Sequence, residues 1–139
     1  MSHHRNKVLI HAIWTTQDRW PLITPEIEQI IYKTIVQEFH ELECPVKLIN
    51  GIPDHVHCLF ELNPNKCLAQ VLKQVKGSSS HFINQERLTS IRFTWQKGYV
   101  AYAVSPSQVK HELDYIADQK SLHESVWLTD ELEQLPICA

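Results

Sequence analysis

Apolar positions along the chain follow two rhythms, one of strands and one of helices. Lys7 to Thr16 (KVLIHAIWTT) is apolar nearly throughout and rich in β-branched and aromatic residues, which predicts a strand buried on both faces. Gln17 to Pro21 breaks that pattern. Thr24 then offers an N-cap, Pro25 a first helical position and Glu26 and Glu28 the charges that suit a helix start. Apolar residues at 27, 30, 31, 35, 39 and 42 carry the predicted helix to about Leu42. After Pro45, Val46 to Ile52 reads as a second strand, with Gly51 marking a bend or bulge. Pro53-Asp54 turns the chain into a third strand ending near Leu62, so these two strands are expected to form an antiparallel hairpin. Leu68, Val71, Leu72 and Val75 form one face of another helix, which Gly77-Ser78-Ser79-Ser80 is expected to interrupt, or to follow as a phosphate-contacting turn. Gly98 to Val104 is a fourth strand. Ser105-Pro106-Ser107 opens a last helix with Val109, Leu113 and Ile116 as its apolar stripe. A short Thr129-capped segment, Asp130 to Leu135, closes an acidic tail.

The order strand, helix, strand, strand, helix, strand, helix is that of an α+β, ferredoxin-like or RRM-like split βαβ sandwich: a mainly antiparallel sheet with helices on one face. At 139 residues the chain is expected to form a single domain spanning 1–139. No apolar run is long enough to span a bilayer, and Met1-Ser2-His3-His4-Arg5 has no signal-peptide core behind it, so the expected location is cytoplasmic. Cysteines at 44, 58, 67 and 138 include no C-x-x-C pair, which fits thiols in a reducing compartment.

Net charge is -3, which argues against indiscriminate coating of nucleic acid, yet the charges are segregated. Residues 1–65 carry five Lys/Arg against eight Asp/Glu, residues 66–110 seven against one, and residues 111–139 one against seven. The middle block is either a solvated basic face or an anion surface. Within it, Arg92-Phe93-Thr94-Trp95-Gln96-Lys97-Gly98-Tyr99 interleaves cations and aromatic rings, a composition that suits unpaired bases and phosphates but equally suits core residues beside a turn. Lys73, Lys76, Arg92 and Lys97 are the candidate DNA contacts.

The chemistry centres on Pro53-Asp54-His55-Val56-His57. Strand alternation puts His55 and His57 on one face and Val56, Cys58 and Phe60 on the other, so two imidazoles stand where one metal ion could bridge them; alone, H-x-H also describes an ordinary half-buried strand. On the last helix His111, Tyr115, Gln119 and His123 recur at i, i+4. If that helix crosses the exposed face of the sheet, His55, His57 and the Gln119 amide oxygen supply three neutral ligands for Mg2+ or Mn2+, with Tyr115 one turn from Gln119 as a nucleophile on phosphorus. His11, in the first strand, reads as a hydrogen-bonded core residue, and His81 and His111 as surface or core.

The segments H-A-I-W-T-T-Q-D-R-W-P-L from His11, G-I-P-D-H-V-H from Gly51, L-K-Q-V-K-G-S-S-S from Leu72, F-T-W-Q-K-G-Y from Phe93, Y-A-V-S-P-S from Tyr102 and Y-I-A-D-Q from Tyr115 occur in a fixed order and spacing. In this the chain resembles, from about residue 8 to 123, the single-tyrosine transposases of the insertion-sequence-two-hundred type, small members of the HUH endonuclease group close to the REP-associated tyrosine transposases. The resemblance implies a homodimer with composite active sites, cleavage and rejoining of single-stranded DNA beside hairpins, His55, His57 and Gln119 as metal ligands, and Tyr115 as the nucleophile that becomes bonded to a 5′-phosphate. It departs from the family where Ser121-Leu122-His123-Glu124 holds one histidine in place of a pair, which leaves His123 without an assigned role. Three other functions share these residues: a domesticated relative that processes palindromes, a hairpin-binding module that no longer cuts, and a hydrolase that uses water in place of Tyr115.

Overall fold

The computed structural model describes residues 7–122. Its strands are β1 (Val8–Thr15), β2 (Val46–Ile52), β3 (His55–Leu62) and β4 (Val100–Val104); its helices are α1 (Glu28–Glu41), α2 (Leu68–Gln85), α3 (Val109–Ala117) and the single turn α4 (Gln119–Leu122). The sheet order is β2-β3-β1-β4 with every neighbouring pair antiparallel, the split βαβ arrangement the sequence predicts.

One face of the sheet carries Ile10, Ala12 and Trp14 from β1 and Val56, Cys58 and Phe60 from β3, all in the main core with Ile31, Ile35 and Phe39 of α1 and Val71, Leu72, Val75 and Ile83 of α2. Those helical residues recur at three and four positions, so each helix presents one continuous apolar stripe to the sheet. The opposite face carries a smaller cluster in which Leu59, Val104 and Ile116 pack with Leu48, Tyr102, Val109 and Leu113, so α3 lies across the side that α1 and α2 leave open. Successive strand residues alternate between these two layers, which is why His55 and His57 share the α3 side.

Three local expectations change. Helix α1 starts at Glu28 rather than Pro25, because the Thr24 carbonyl accepts bonds from both Ile27 and Glu28 in a preceding turn. Gly51 pairs regularly with Val56, and the bulge falls between Val46 and Leu48. Helix α2 runs unbroken through Gly77-Ser78-Ser79-Ser80. The Ser79 and Ser80 hydroxyls donate to the carbonyls three residues back, at 3.2 and 3.1 Å, so they are satisfied within the helix. Buried Ser79 also accepts a bond from Trp95 Nε1 at 2.9 Å, which ties the 92–99 segment to the helix. Phe93 and Trp95 therefore belong to the core, the structural alternative for that aromatic stretch.

Among the described residues Cys44, Cys58 and Cys67 are free thiols. Burial pushes the Cys58 thiol far up, so it behaves as apolar filler, and raises Cys44 as well, whose sulfur donates to Leu42 O and accepts from Asn63 N. Among the same residues no helix is long and apolar enough to cross a membrane. The Thr129-capped segment, Cys138 and His123 lie outside the described residues.

Candidate active site

The two-residue turn Pro53-Asp54 brings β3 back along β2 and fixes where His55 begins. Its carbonyls are both occupied, Pro53 accepting from Ile23 N and Asp54 from Thr16 N, each at 2.9 Å. The Thr16 hydroxyl donates to Trp20 O at 2.7 Å and also reaches Asp54 O at 3.2 Å. His55 and His57 follow with no exposed surface. Their ring centroids are 5.0 Å apart and nearly perpendicular.

Each imidazole is oriented through Nδ1. His55 Nδ1 donates to Asp54 Oδ1 at 2.7 Å. His57 Nδ1 lies 2.9 Å from Nε2 of buried His11. His11 Nδ1 in turn lies 2.8 Å from Glu112 Oε2 and 2.7 Å from the Tyr102 hydroxyl, which itself donates to the same carboxylate oxygen at 2.7 Å. Burial pushes the Glu112 carboxyl up, but the hydrogen bonds from His11 and Tyr102 outweigh it and hold the group below the usual carboxylate range.

Glu112 and Tyr115 are three positions apart on α3, hence on neighbouring parts of one face. The Tyr115 ring meets His57 edge-on at 5.6 Å between centroids and His11 at 5.9 Å. The helix stops at Asp118, and Gln119 opens α4 fully buried, its Nε2 donating to Tyr115 O at 3.3 Å. Asn50, paired in register with His57, donates to the carbonyls of Ile116 and Ala117 at 3.0 and 3.2 Å and so satisfies the C-terminal end of α3. Lys120 completes the fastening, donating to Glu28 Oε1 and Asn50 Oδ1, both at 2.8 Å.

A family profile described as Transposase IS200 like matches residues 4–119. The chain belongs to the IS200-like transposase family. It is a DNA-processing enzyme. No protein of curated function matches it. Among solved structures it is similar to a candidate transposase from Deinococcus radiodurans, at 20% identity and TM-score 0.67, over 86% of this chain and 98% of that one. It is also similar, at 17% identity and the same TM-score of 0.67, over 91% of this chain and 76% of that one, to a REP-associated tyrosine transposase bound to a REP hairpin. At these identities the likeness shows the shared fold.

In this transposase the candidate ligands and nucleophile converge: His55, His57 and Tyr115 are in one site, with Gln119 beside the tyrosine backbone. Among the described residues no three His, Cys, Asp or Glu side chains gather as a metal cluster, and the candidate donor set is the two imidazoles with the Gln119 amide oxygen. That set fits a divalent cation that keeps positions for phosphate oxygens, since both Nδ1 atoms are engaged elsewhere and each Nε2 is the nitrogen a cation would use.

The four candidate DNA contacts divide. Lys73, Lys76 and Lys97 line one groove of about 350 Å³ with Trp95, Gly98 and Tyr99. Exposed Arg92 lies in an adjoining hollow with His81 that shares Ser80 and Thr94 with the groove. Lys76 is half-buried and donates to the carbonyls of Gln96 and Gly98, both at 2.8 Å, so it braces the 92–99 segment; burial lowers its ammonium pKa. A second groove shares Gln96 to Tyr99 with the first and continues to Ile13 and Thr15, the β1 partners of His57 and His55.

Sequence reasoning did not find Asn50, Glu112, Tyr102 or Lys120, and it left His11 as a core residue. His11 and Tyr102 did stand in quoted family segments. The positions of Asn50 and Lys120 carry no local signal, because their partners are 66 to 92 residues away in the chain.

Proposed function

We propose that this transposase cuts and rejoins single-stranded DNA at hairpin-flanked ends through a covalent 5′-phosphotyrosine on Tyr115, with Mg2+ or Mn2+ held by His55, His57 and Gln119. The observation that carries this reading is the tyrosine ring edge-on to His57, beside a pair of histidines each oriented through Nδ1. In the reaction Tyr115 Oη forms a bond to phosphorus as the bond from phosphorus to the 3′-oxygen breaks. The phenol gives up its proton and the departing 3′-oxygen gains one. Attack by a 3′-hydroxyl on the phosphotyrosine reverses these changes, so strands are rejoined without a nucleotide cofactor. A bound divalent ion would supply charge stabilisation to the nonbridging phosphate oxygens.

The basic groove at Lys73 and Lys97 would hold the hairpin backbone. The second groove would lead the strand past Thr15 toward the histidines. A homodimer with composite sites, as the family resemblance implies, belongs to the same reading; it would exchange the tyrosine helix between copies, whereas in the described chain Tyr115 lies over its own His57.

End-labelled single-stranded hairpins from DNA flanking the gene, incubated with protein and Mn2+ or Mg2+ and run on a denaturing gel, test it. A metal-dependent label that migrates with wild-type protein and is absent with Tyr115→Phe is expected. Cleavage that survives Tyr115→Phe would replace the tyrosine mechanism by water attack, and binding without cleavage would leave only a hairpin-recognition module.

A further inference from the structure

We propose that Glu112, His11 and Tyr102 form a positioning chain that sets the tautomer of His57 and, through the same contacts, fastens the tyrosine helix over it. The inference rests on the reading that His57 holds the metal. Its steps follow from donor and acceptor inventory. An ionised carboxylate only accepts, so Glu112 Oε2 takes a proton-bearing nitrogen, and His11 at 2.8 Å presents Nδ1–H to it. In that Nδ1–H tautomer of His11 the lone pair is on Nε2, which at 2.9 Å accepts from His57 Nδ1. His57 is thereby the Nδ1–H tautomer, in which Nε2 is the nitrogen a cation would bind. Tyr102, which pairs with His11 across β1 and β4, donates its hydroxyl to the same Glu112 oxygen and holds the carboxylate in place.

The chain joins four elements. Glu112 comes from α3, Tyr102 from β4, His11 from β1 and His57 from β3, and β1 lies between β3 and β4 in the sheet. Tyr115 is on the same helix as Glu112 and packs against both histidines. The contact that orients the ligand is thus also a tie between the nucleophile's helix and the sheet. A hydrophobic residue at position 11 would leave the half-buried Glu112 carboxylate with the Tyr102 hydroxyl but without the imidazole, and the buried His57 Nδ1–H without its acceptor, whereas glutamine could present an amide oxygen to His57 and an amide N–H to Glu112.

The test measures Mn2+ binding by the loss of the free-ion EPR signal in wild-type protein, His57→Ala, His11→Leu, His11→Gln and Glu112→Gln, with circular dichroism of each. Nitrogen-15 NMR of the histidines in the metal-free wild type is run at about pH 8, where an ordinary imidazole is neutral. We expect His57 as the Nδ1–H tautomer, loss of binding in His57→Ala, and a loss of roughly 10- to 100-fold in affinity for His11→Leu, the range usual for partners of metal-bound histidines. His11→Gln should return to within about threefold of wild type, with Glu112→Gln between the two. Wild-type affinity in folded His11→Leu alongside lost binding in His57→Ala overturns the positioning chain and leaves the metal reading standing. Unchanged binding in His57→Ala overturns both. If His11→Leu does not fold, the NMR decides, and a dominant Nε2–H tautomer at His57 overturns the proposal.

Discussion

Gly51 is where a single methyl group would do most damage to the site. A Cβ built there sits 2.2 Å from His55 O, 3.0 Å from Val56 Cα and 3.1 Å from His55 C. All three are backbone atoms of the paired strand, so no side-chain rotation relieves the contact. Comfortable carbon contacts begin near 3.5 Å, so β2 and β3 must part locally by about 1 Å. Overpacking of this kind costs about 1–3 kcal/mol, and the backbone origin of the clash puts Gly51→Ala near the upper end, about 3 kcal/mol. For a protein of this size that is a fall in Tm of roughly 10 °C, within a total stability of about 5–15 kcal/mol, so the protein still folds. A displacement of about 1 Å at His55 should slow adduct formation by about 100-fold. Gly77 is the internal control: it is inside α2 with nothing within 4 Å of its added Cβ, so Gly77→Ala should raise stability by about 0.5–1 kcal/mol. Thermal melts followed by circular dichroism, with the denaturing-gel assay at a temperature where both variants are folded, measure the two effects. A Gly51→Ala protein that melts with the wild type and forms adduct at the wild-type rate would refute the claim that the tight approach of Gly51 to His55 fixes the histidine strand.

Three further outcomes are expected. Ser79→Ala removes the buried acceptor of Trp95 Nε1, a loss of about 1–3 kcal/mol that the better helix propensity of alanine offsets by about 0.5; urea unfolding should show a net loss of about 1–2 kcal/mol. Glu112 has its carboxyl held below the ordinary value of 4.5, so it stabilises the fold fully above that pH and its contribution is lost as pH falls through the lower folded value. The stability gap between wild type and Glu112→Gln should be about 1–2 kcal/mol near neutral pH and close in urea titrations below pH 4.5; a gap that widens on acidification would contradict the sign. Lys73→Ala and Lys97→Ala should each flatten the salt dependence of hairpin binding by about 0.7–0.9 per lost phosphate contact, without a change in unfolding midpoint, whereas Lys76→Ala should destabilise the fold because it frees two carbonyls.

What the sequence makes legible is what depends on neighbours in sequence. Alternation in β3 is enough to put His55 and His57 on one face, and a stripe at three- and four-residue spacing is enough to place α1 and α2. The pairing of His55 and His57 with Tyr115 needed family resemblance, since nothing local tells a helix near residue 115 which face of the sheet to cross. Gly77 to Ser80 misled for a physical reason. Glycine and serine weaken a helix by intrinsic propensity, but the serine hydroxyls bond back within the turn and Ser79 receives Trp95, so tertiary packing overrides the local preference. The same holds at Gly51, whose small size answers to the approach of His55 O from the next strand and not to its own backbone conformation.

The attachment of α3 differs in kind from that of the other long helices. Helices α1 and α2 each bury five residues against the sheet or one another, whereas Ile116 is the buried residue of α3. Partly buried Val109, Leu113 and Tyr115 pack beside it, and polar contacts add to the hold: Glu112 to His11, and Asn50 to the last carbonyls with Lys120 behind it. Hydrogen bonds of this sort contribute about 0.5–3 kcal/mol each, while burying one large apolar side chain contributes about 1.5–3. The tyrosine helix is therefore placed by a narrow apolar stripe together with a few directional contacts. Directional contacts fix the azimuth of a helix more sharply than apolar packing does, and here both ends are tied to strands that carry or flank His57. The arrangement gives Tyr115 a defined position over the histidines with fewer fully buried residues than α1 or α2 use.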